Sequence, residues 1–543
     1  ISIHFLSEID ICAKIGFNTV LLYTEDTYEI PEEPYFGYLR GRYSQAEIKE
    51  VDAFAKERGV ELIPCIQTLA HVNGIVRWPA FAPIIDTADI LLAGEDRTYE
   101  LIDRMFASVA ASYSTKIVNI GMDEAHMIGR GRYYDLHGDT DKVKILIEHI
   151  KKVSGIGKKY GLTLLIWSDM FFRLAAGDYY RSNAKIDESV KEQIPDNVEL
   201  IYWDYYSTDR KHYDKMLSAH AKIKDGTWFA GGLWTWVGYA AHNEYSMRST
   251  KAALGACVKH SVKDVFLTMW GDDGGECSKF ALLPSLFYAA EIAKGITNKA
   301  QIKENFKKTF GISFDRFMLL DLTDSPNKNA DGIKNTEKYL LFNDPFMGIL
   351  DSTLVGDEGE KFAKAARKLV YAKNEPEWGY LFRTLYALCD ALAIKANLGQ
   401  RIRAAYSAKD KAALLAEADN CKKLQKKLNA FHEAYKEQWY KENKGQGFEV
   451  QDIRIGGLIK RVEHCGQMLR DYAEGKTDKI AFARSSRQRR RLQTGRDLLP
   501  IMENELIGKY SLKSIYIFTL YNIKVQSPDG HTVGALDYAF LNL

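Results

Sequence analysis

Seven short apolar runs, separated by helical patterns, constrain the fold of this chain more than any other feature. They cover residues 17–23, 60–67, 117–120, 162–167, 198–203, 228–231 and 265–270. Helical patterns lie before and between them, over residues 1–16 (closed by Gly16), 45–57, 99–113 and 141–160. Continuously apolar strands alternating with helices predict a parallel sheet of βα units. A run of about 290 residues built this way suits a (β/α)8 TIM barrel. Such a barrel needs eight strands, since closure removes the sheet edges. The chain opens with a helix, so the first strand is expected upstream of Ile1 and missing from this sequence.

The whole chain has 543 residues, too many for one core. Past about residue 300 strand-like runs become scarce. Residues 360–372, 378–398, 412–439 and 453–474 read as long helices rich in Ala, Lys, Leu and Glu. The expected division is a barrel over 1–300, an α-helical domain over 301–480, and a tail of unknown role over 481–543. Leucines such as Leu385, Leu388 and Leu392 fall at helical spacing and are read as core. The tail carries Arg484, Arg487, Arg489, Arg490 and Arg491, then two strand-like pieces at 514–525 and 532–541. One basic run in a chain of net charge +2 is read as a solvated linker, and no nucleic-acid or membrane partner is expected. The seven cysteines lie far apart without C-x-x-C spacing, so neither a disulfide framework nor a zinc site is indicated. No run of about 18 apolar residues suggests a membrane span. No signal-peptide pattern opens the chain, and a cytoplasmic protein is expected, although a start at Ile1 without Met weakens that reading.

Chemistry in parallel α/β folds collects at the carboxyl ends of the strands. Here those ends carry Tyr23, Glu25 and Asp26; Gln67 and His71; Asp123 and Glu124; Trp167 and Asp169; Trp203, Asp204 and Tyr205; Trp234 and Trp236; Trp270, Asp272 and Asp273. A single Trp at such a place is core or rim packing. Trp at four successive ends, beside carboxylates, suits a pyranose, whose C–H face packs on flat rings while its hydroxyls bond carboxylates. Paired carboxylates then suggest glycoside hydrolysis. Asp123 and Glu124 are adjacent on one strand end, whereas two independent acids usually come from different strands. Adjacency fits substrate-assisted catalysis, in which the 2-acetamido oxygen attacks the anomeric carbon. One acid keeps its proton for the leaving oxygen while the other stays ionised. Alone the dipeptide is weak evidence, because a charge pair at a helix N-terminus looks the same.

Gly121-Met122-Asp123-Glu124-Ala125 after a buried strand resembles the signature of glycoside hydrolase family 20, the exo-β-N-acetylhexosaminidases. The resemblance extends to Tyr23-Thr24-Glu25-Asp26, Trp203-Asp204-Tyr205-Tyr206, Gly231-Gly232-Leu233-Trp234-Thr235-Trp236 and Trp270-Gly271-Asp272. With the helical domain, and with Asn443-Lys444, Gly447-Phe448-Glu449-Val450 and Asp452-Ile453-Arg454, it points to a bacterial branch of that family. The resemblance implies Glu124 as general acid/base, Asp123 as the residue orienting the acetamido group, and Tyr205 as its hydrogen-bond partner. Trp167, Trp203, Trp234, Trp236 and Trp270 would clasp the sugar, Asp272 would bind outer hydroxyls, and His71 would support the site. It also implies N-acetylhexosamine-terminated glycans as substrates, no metal or cofactor, and dimerisation through the helical domain.

Better-known members carry Asp and then Pro-Gly-His where this chain has Gln67-Thr68-Leu69-Ala70-His71. They also have Glu after the last strand's Trp, where the nearest acid here is Asp272, and their first strand supplies a sugar-binding Arg. The expected activity is retaining exo-hydrolysis of terminal β-linked N-acetylglucosamine or N-acetylgalactosamine. The alternatives are an inactive or carbohydrate-binding barrel, or another acetamido-assisted barrel glycosidase; the latter often shows adjacent Asp residues or a D-x-D-x-E strand, and neither is here.

Overall fold

A computed structural model describes residues 3–323, 336–351 and 354–480. The basic run and the strand-like pieces of the tail lie outside the described residues. Every expected strand forms: β1 (Thr19–Glu25), β2 (Glu61–Ile66), β5 (Ile117–Asn119), β6 (Thr163–Trp167), β7 (Val198–Trp203), β8 (Trp228–Gly232) and β9 (Val265–Thr268). A short antiparallel pair, β3 (Ile85–Thr87) and β4 (Ile90–Leu91), decorates the loop after β2. The seven main strands are all parallel, in the order β1-β2-β5-β6-β7-β8-β9, and curl into a nearly closed TIM-type barrel.

Burial explains the apolar runs. Strands β6, β7 and β8 are buried almost throughout, whereas β1 and most of β9 are only half-buried. That is the expected difference between inner and edge strands. Among the described residues no ladder joins β1 to β9. Their carboxyl ends meet instead through side chains, Tyr23 standing edge-on to Trp270 at 4.9 Å and 88°.

Local chemistry sets the helix ends. Gln45–Glu57 starts in a capping box, with Ser44 and Glu47 each accepting the other's backbone N–H. Lys142–Lys159 starts where the Asp141 carboxylate accepts from Val143 and Lys144. The helical region holds Glu358–Leu369, Gly379–Lys395, Leu398–Ser407, Lys411–Glu442 and Phe448–Ala473. The expected single helix over 378–398 breaks at Asn397, whose amide accepts from Gly359 N–H and donates to Glu358. Leu385, Leu388 and Leu392 are buried, as are six of the seven cysteines, Cys12 being half-buried.

The helical core also takes in Leu233, Tyr239, Phe280 and Leu286 from the segments after β8 and β9. Residues around the turn between the two longest helices reach both edges of the open sheet. Lys444 Nζ donates to Arg42 O (2.9 Å) and Glu47 (3.1 Å), in and just beyond the loop after β1. On the other side Arg454 lies 3.3 Å from buried Glu276, and Glu442 accepts from Ser278 at 2.6 Å, both after β9. The helices thus strap together the two loops between which the barrel is open.

Candidate active site

Strand β5 ends at Asn119, whose side-chain oxygen accepts Gly121 N–H at 2.9 Å and starts a tight turn. Gly121, Met122 and Glu124 all adopt left-handed backbone, with φ of 71°, 68° and 53°. Seven non-glycine residues among those described have positive φ, and Glu25, His71, Met122 and Glu124 are four of them. Backbone strain is therefore concentrated at or just beyond the carboxyl ends of β1, β2 and β5, where it marks function more often than folding.

Gln67 at the end of β2 holds this turn. Its carboxamide oxygen accepts Met122 N–H (3.3 Å), while its nitrogen donates to Asp123 Oδ1 (3.2 Å) and Tyr23 Oη (3.3 Å). A Cβ at Gly121 would sit 1.9 Å from the Gln67 oxygen, so only glycine allows the approach.

The charges around Asp123 and Glu124 alternate in sign. His71 Nε2 lies 3.2 Å from Asp123 Oδ2 and 3.9 Å from Glu124 Oε2. The Asp123 contact is off-axis for a hydrogen bond and acts chiefly as an ion pair. Burial works against a charge on His71, but Asp123, then Glu124 and Glu25, carry its pKa up to about 10, leaving a cation at neutral pH. Burial likewise opposes charge on Asp123, yet His71 and the Gln67 bond prevail and hold its carboxyl below the usual range. On the far side, Arg173 Nη2 lies 3.6 Å from Glu124 Oε1, and Arg173 Nε lies 3.2 Å from Asp169 Oδ2. That same Asp169 oxygen accepts Glu124 N–H at 3.0 Å. Asp169 is fully buried, and burial together with the Asp123 charge pushes it up to about 7.

Aromatic rings form the rest of the wall. The Tyr205 hydroxyl accepts from Trp270 Nε1 at 3.1 Å and lies within electrostatic reach of Asp123. Its ring stacks on Trp203 (5.3 Å, 29°) and stands edge-on to Trp236 (5.4 Å). Trp234 stacks on Trp236 at 4.3 Å and donates Nε1 to Tyr205 O. A Cβ at Gly232 would meet the Tyr205 ring at 2.6 Å, so this glycine lets the ring seat.

The expected five-Trp clasp is therefore layered. Trp236 and Trp270 are partly exposed, whereas Trp167, Trp203 and Trp234 are buried behind or beneath them. Asp272 is exposed at the rim, near enough to Tyr206 and Lys279 to act on their charges.

The structure thus brings together Asp123, Glu124, His71, Tyr205 and the Trp cluster, with Asp272 outermost. It adds four residues given no role from sequence: Gln67, Asp169, Arg173 and Tyr206. Gln67 and Asp169 were visible as polar strand ends, and Tyr206 adjoins Tyr205 in the quoted motif. Tyr206 is half exposed and lies near Glu124, Asp272 and Arg173. Arg173 had only its i,i+4 spacing to Asp169 as a signal. Asp204 proves structural, accepting from Tyr202 (2.8 Å), His212 (2.7 Å) and Tyr206 N–H (3.0 Å). Among the described residues no group of three His, Cys, Asp or Glu side chains is placed to hold a metal ion, and no helix is long and apolar enough to cross a membrane.

Hexosaminidase D of Bos taurus is 27% identical over 251 residues, covering 44% of this chain and 66% of that protein. Hexosaminidase D of Homo sapiens is 27% identical over 215 residues, covering 37% of this chain and 42% of its own length. The chain thus spans less than two thirds of either curated relative. Among solved structures, a chitobiase of Flavobacterium johnsoniae superposes with a TM-score of 0.44 at 16% identity, covering 88% of this chain and 71% of that one. Residues 22–219 match the glycosyl hydrolase family 20 catalytic domain, and residues 315–482 match the glycoside hydrolase 20C C-terminal domain. With both matches on one chain, and the Asp123–Glu124 pair inside the first, this protein belongs to glycoside hydrolase family 20.

Proposed function

We propose that this protein is a retaining exo-β-N-acetylhexosaminidase that uses the substrate's own 2-acetamido group as nucleophile. The observation that carries the reading is Asp123, held ionised by His71 and Gln67 beside Glu124, with the Tyr205 hydroxyl nearby. An ionised carboxylate at that place can accept the acetamido N–H and stabilise positive charge as it develops.

In the first step the acetamido oxygen forms a bond to the anomeric carbon. The glycosidic C–O bond breaks, and its electron pair leaves with the aglycone oxygen, which takes the Glu124 proton. Asp123 faces the resulting oxazolinium, and the Tyr205 hydroxyl donates to the former acetamido oxygen. In the second step Glu124 removes a proton from water as that water attacks the anomeric carbon. The C–O bond to the acetamido oxygen breaks and the acetamide is restored. Two inversions leave the β configuration retained. Trp236 and Trp270 offer partly exposed faces to the sugar, and Asp272 at the rim would take outer hydroxyls.

The test compares p-nitrophenyl β-N-acetylglucosaminide with the matching β-glucoside. Cleavage of the first alone supports an acetamido-assisted hydrolase; cleavage of both overturns the mechanism. Cleavage of neither, while a thiazoline mimic of the intermediate still binds, would instead favour a carbohydrate-binding protein. Asp123→Asn and Glu124→Ala are each expected to lower kcat by about 10²–10⁴-fold while retaining thiazoline binding.

A further inference from the structure

We propose that Asp169 and Arg173 form a positioning dyad for Glu124. Asp169 pins the backbone of the general acid, and its own charge decides how much of the Arg173 positive charge the Glu124 carboxyl faces. The inference rests on the hydrolase reading above and concerns how Glu124 is held and which charge it faces.

Three independent observations converge. Through one oxygen, Asp169 accepts both Glu124 N–H (3.0 Å) and Arg173 Nε (3.2 Å), which fixes the left-handed backbone of Glu124. Its other oxygen, Oδ1, is fully buried without a hydrogen-bond partner, an expensive state for a carboxylate. Arg173 turns Nη2 toward Glu124 Oε1 at 3.6 Å. The helix Asp169–Ala176 carries both members one turn apart, so a single rigid element aims charge at the reacting group.

The groups facing the dyad are Asp123 and Glu124 from the turn after β5, Tyr179 from the segment after the helix, and Tyr206 after β7. With Asp169 ionised, the Arg173 charge that faces Glu124 is largely compensated. With Asp169 protonated, Arg173 presents its full charge to the Glu124 carboxyl. Burial and the Asp123 charge place that exchange at about pH 7.

The test uses the full chain and kcat/KM–pH profiles on N,N′-diacetylchitobiose, a substrate whose leaving group needs a proton. Asp169→Asn keeps an acceptor for Glu124 N–H but removes the charge. Its alkaline limb is expected to move to lower pH by about half to one unit. Arg173→Gln removes the positive charge, and its alkaline limb is expected to move the opposite way. A structural role alone would lower rate or melting temperature in both without opposed shifts. Limbs that coincide with the wild type, or that move the same way, overturn the proposal.

Infrared difference spectra supply a readout independent of turnover. Burial also pushes the carboxyls of Glu8, Asp321 and Glu442 up to about 7. The protonated-carboxyl signal that the wild type loses near pH 7 should therefore be smaller by one group in Asp169→Asn, and one group's share of it should move to higher pH in Arg173→Gln. A wild type without turnover overturns the hydrolase reading, and this signal then decides the dyad by itself: changed as stated supports it, unchanged in both variants overturns it.

Discussion

His71 Nε2 lies 3.2 Å from Asp123 Oδ2, joining the loop after β2 to the turn after β5 through opposite charges. His71 thereby helps to keep one of two adjacent carboxylates ionised. Removing the cation as His71→Gln should let the Asp123 carboxyl rise toward its ordinary range. The acid limb of kcat/KM would then move to higher pH. A limb that stays in place would show that Gln67 alone holds Asp123.

The same pair has a signature in stability. The folded pKa of His71, about 10, lies above its unfolded value, so its contribution is full below about pH 6.5 and lost as pH rises through about 10. Denaturant midpoints of wild type and His71→Gln should differ most below pH 6.5 and converge above 10. His71 is a third exposed, so the difference should also shrink with salt.

Gly121→Ala puts a methyl group 1.9 Å from the Gln67 oxygen at a φ of 71°. Either Gln67 or the turn has to move, and both lead to Asp123. A loss of roughly 1–3 kcal/mol in stability is expected, with kcat falling more steeply than the melting temperature implies. Unchanged kinetics would show that Gln67 does not set the position of Asp123.

Tyr205→Phe removes the hydroxyl that accepts Trp270 Nε1 and, in the proposed mechanism, donates to the acetamido oxygen. A fall in kcat of about 10²–10³-fold is expected, the usual effect of deleting one such donor. A change in KM alone would restrict Tyr205 to ground-state binding.

Lys279 lies beneath the rim, donating to Met269 O, to Trp270 O (2.8 Å) and to Thr235 Oγ1 (3.4 Å). Lys279→Met would leave these carbonyls without that donor and release the segment carrying Trp270 and Asp272. KM for N-acetylglucosaminides should rise several-fold with kcat less affected, measured beside a thermal melt to separate local from global loss.

The sequence by itself determined the strand–helix alternation, the polar residues at the strand ends and the helical character of the second half. Those features are local: periodicity and apolar continuity are written within a few consecutive residues. Asp123, Glu124, His71 and Tyr205 were legible because each directly follows a strand or lies within a few residues of its end.

What only the tertiary structure decided depends on how distant strand ends approach one another. Gln67 reads as one more polar strand end until the Gly121 turn brings Asp123 onto its amide. Arg173 is an ordinary helical arginine until its helix places it beside Glu124. Trp167 and Trp203 close their strands, and Trp234 and Trp236 follow one strand two residues apart, yet Trp167, Trp203 and Trp234 are buried while Trp236 and Trp270 are partly exposed. No local pattern encodes those differences, because register, left-handed turns and barrel curvature are set jointly by residues far apart in the chain.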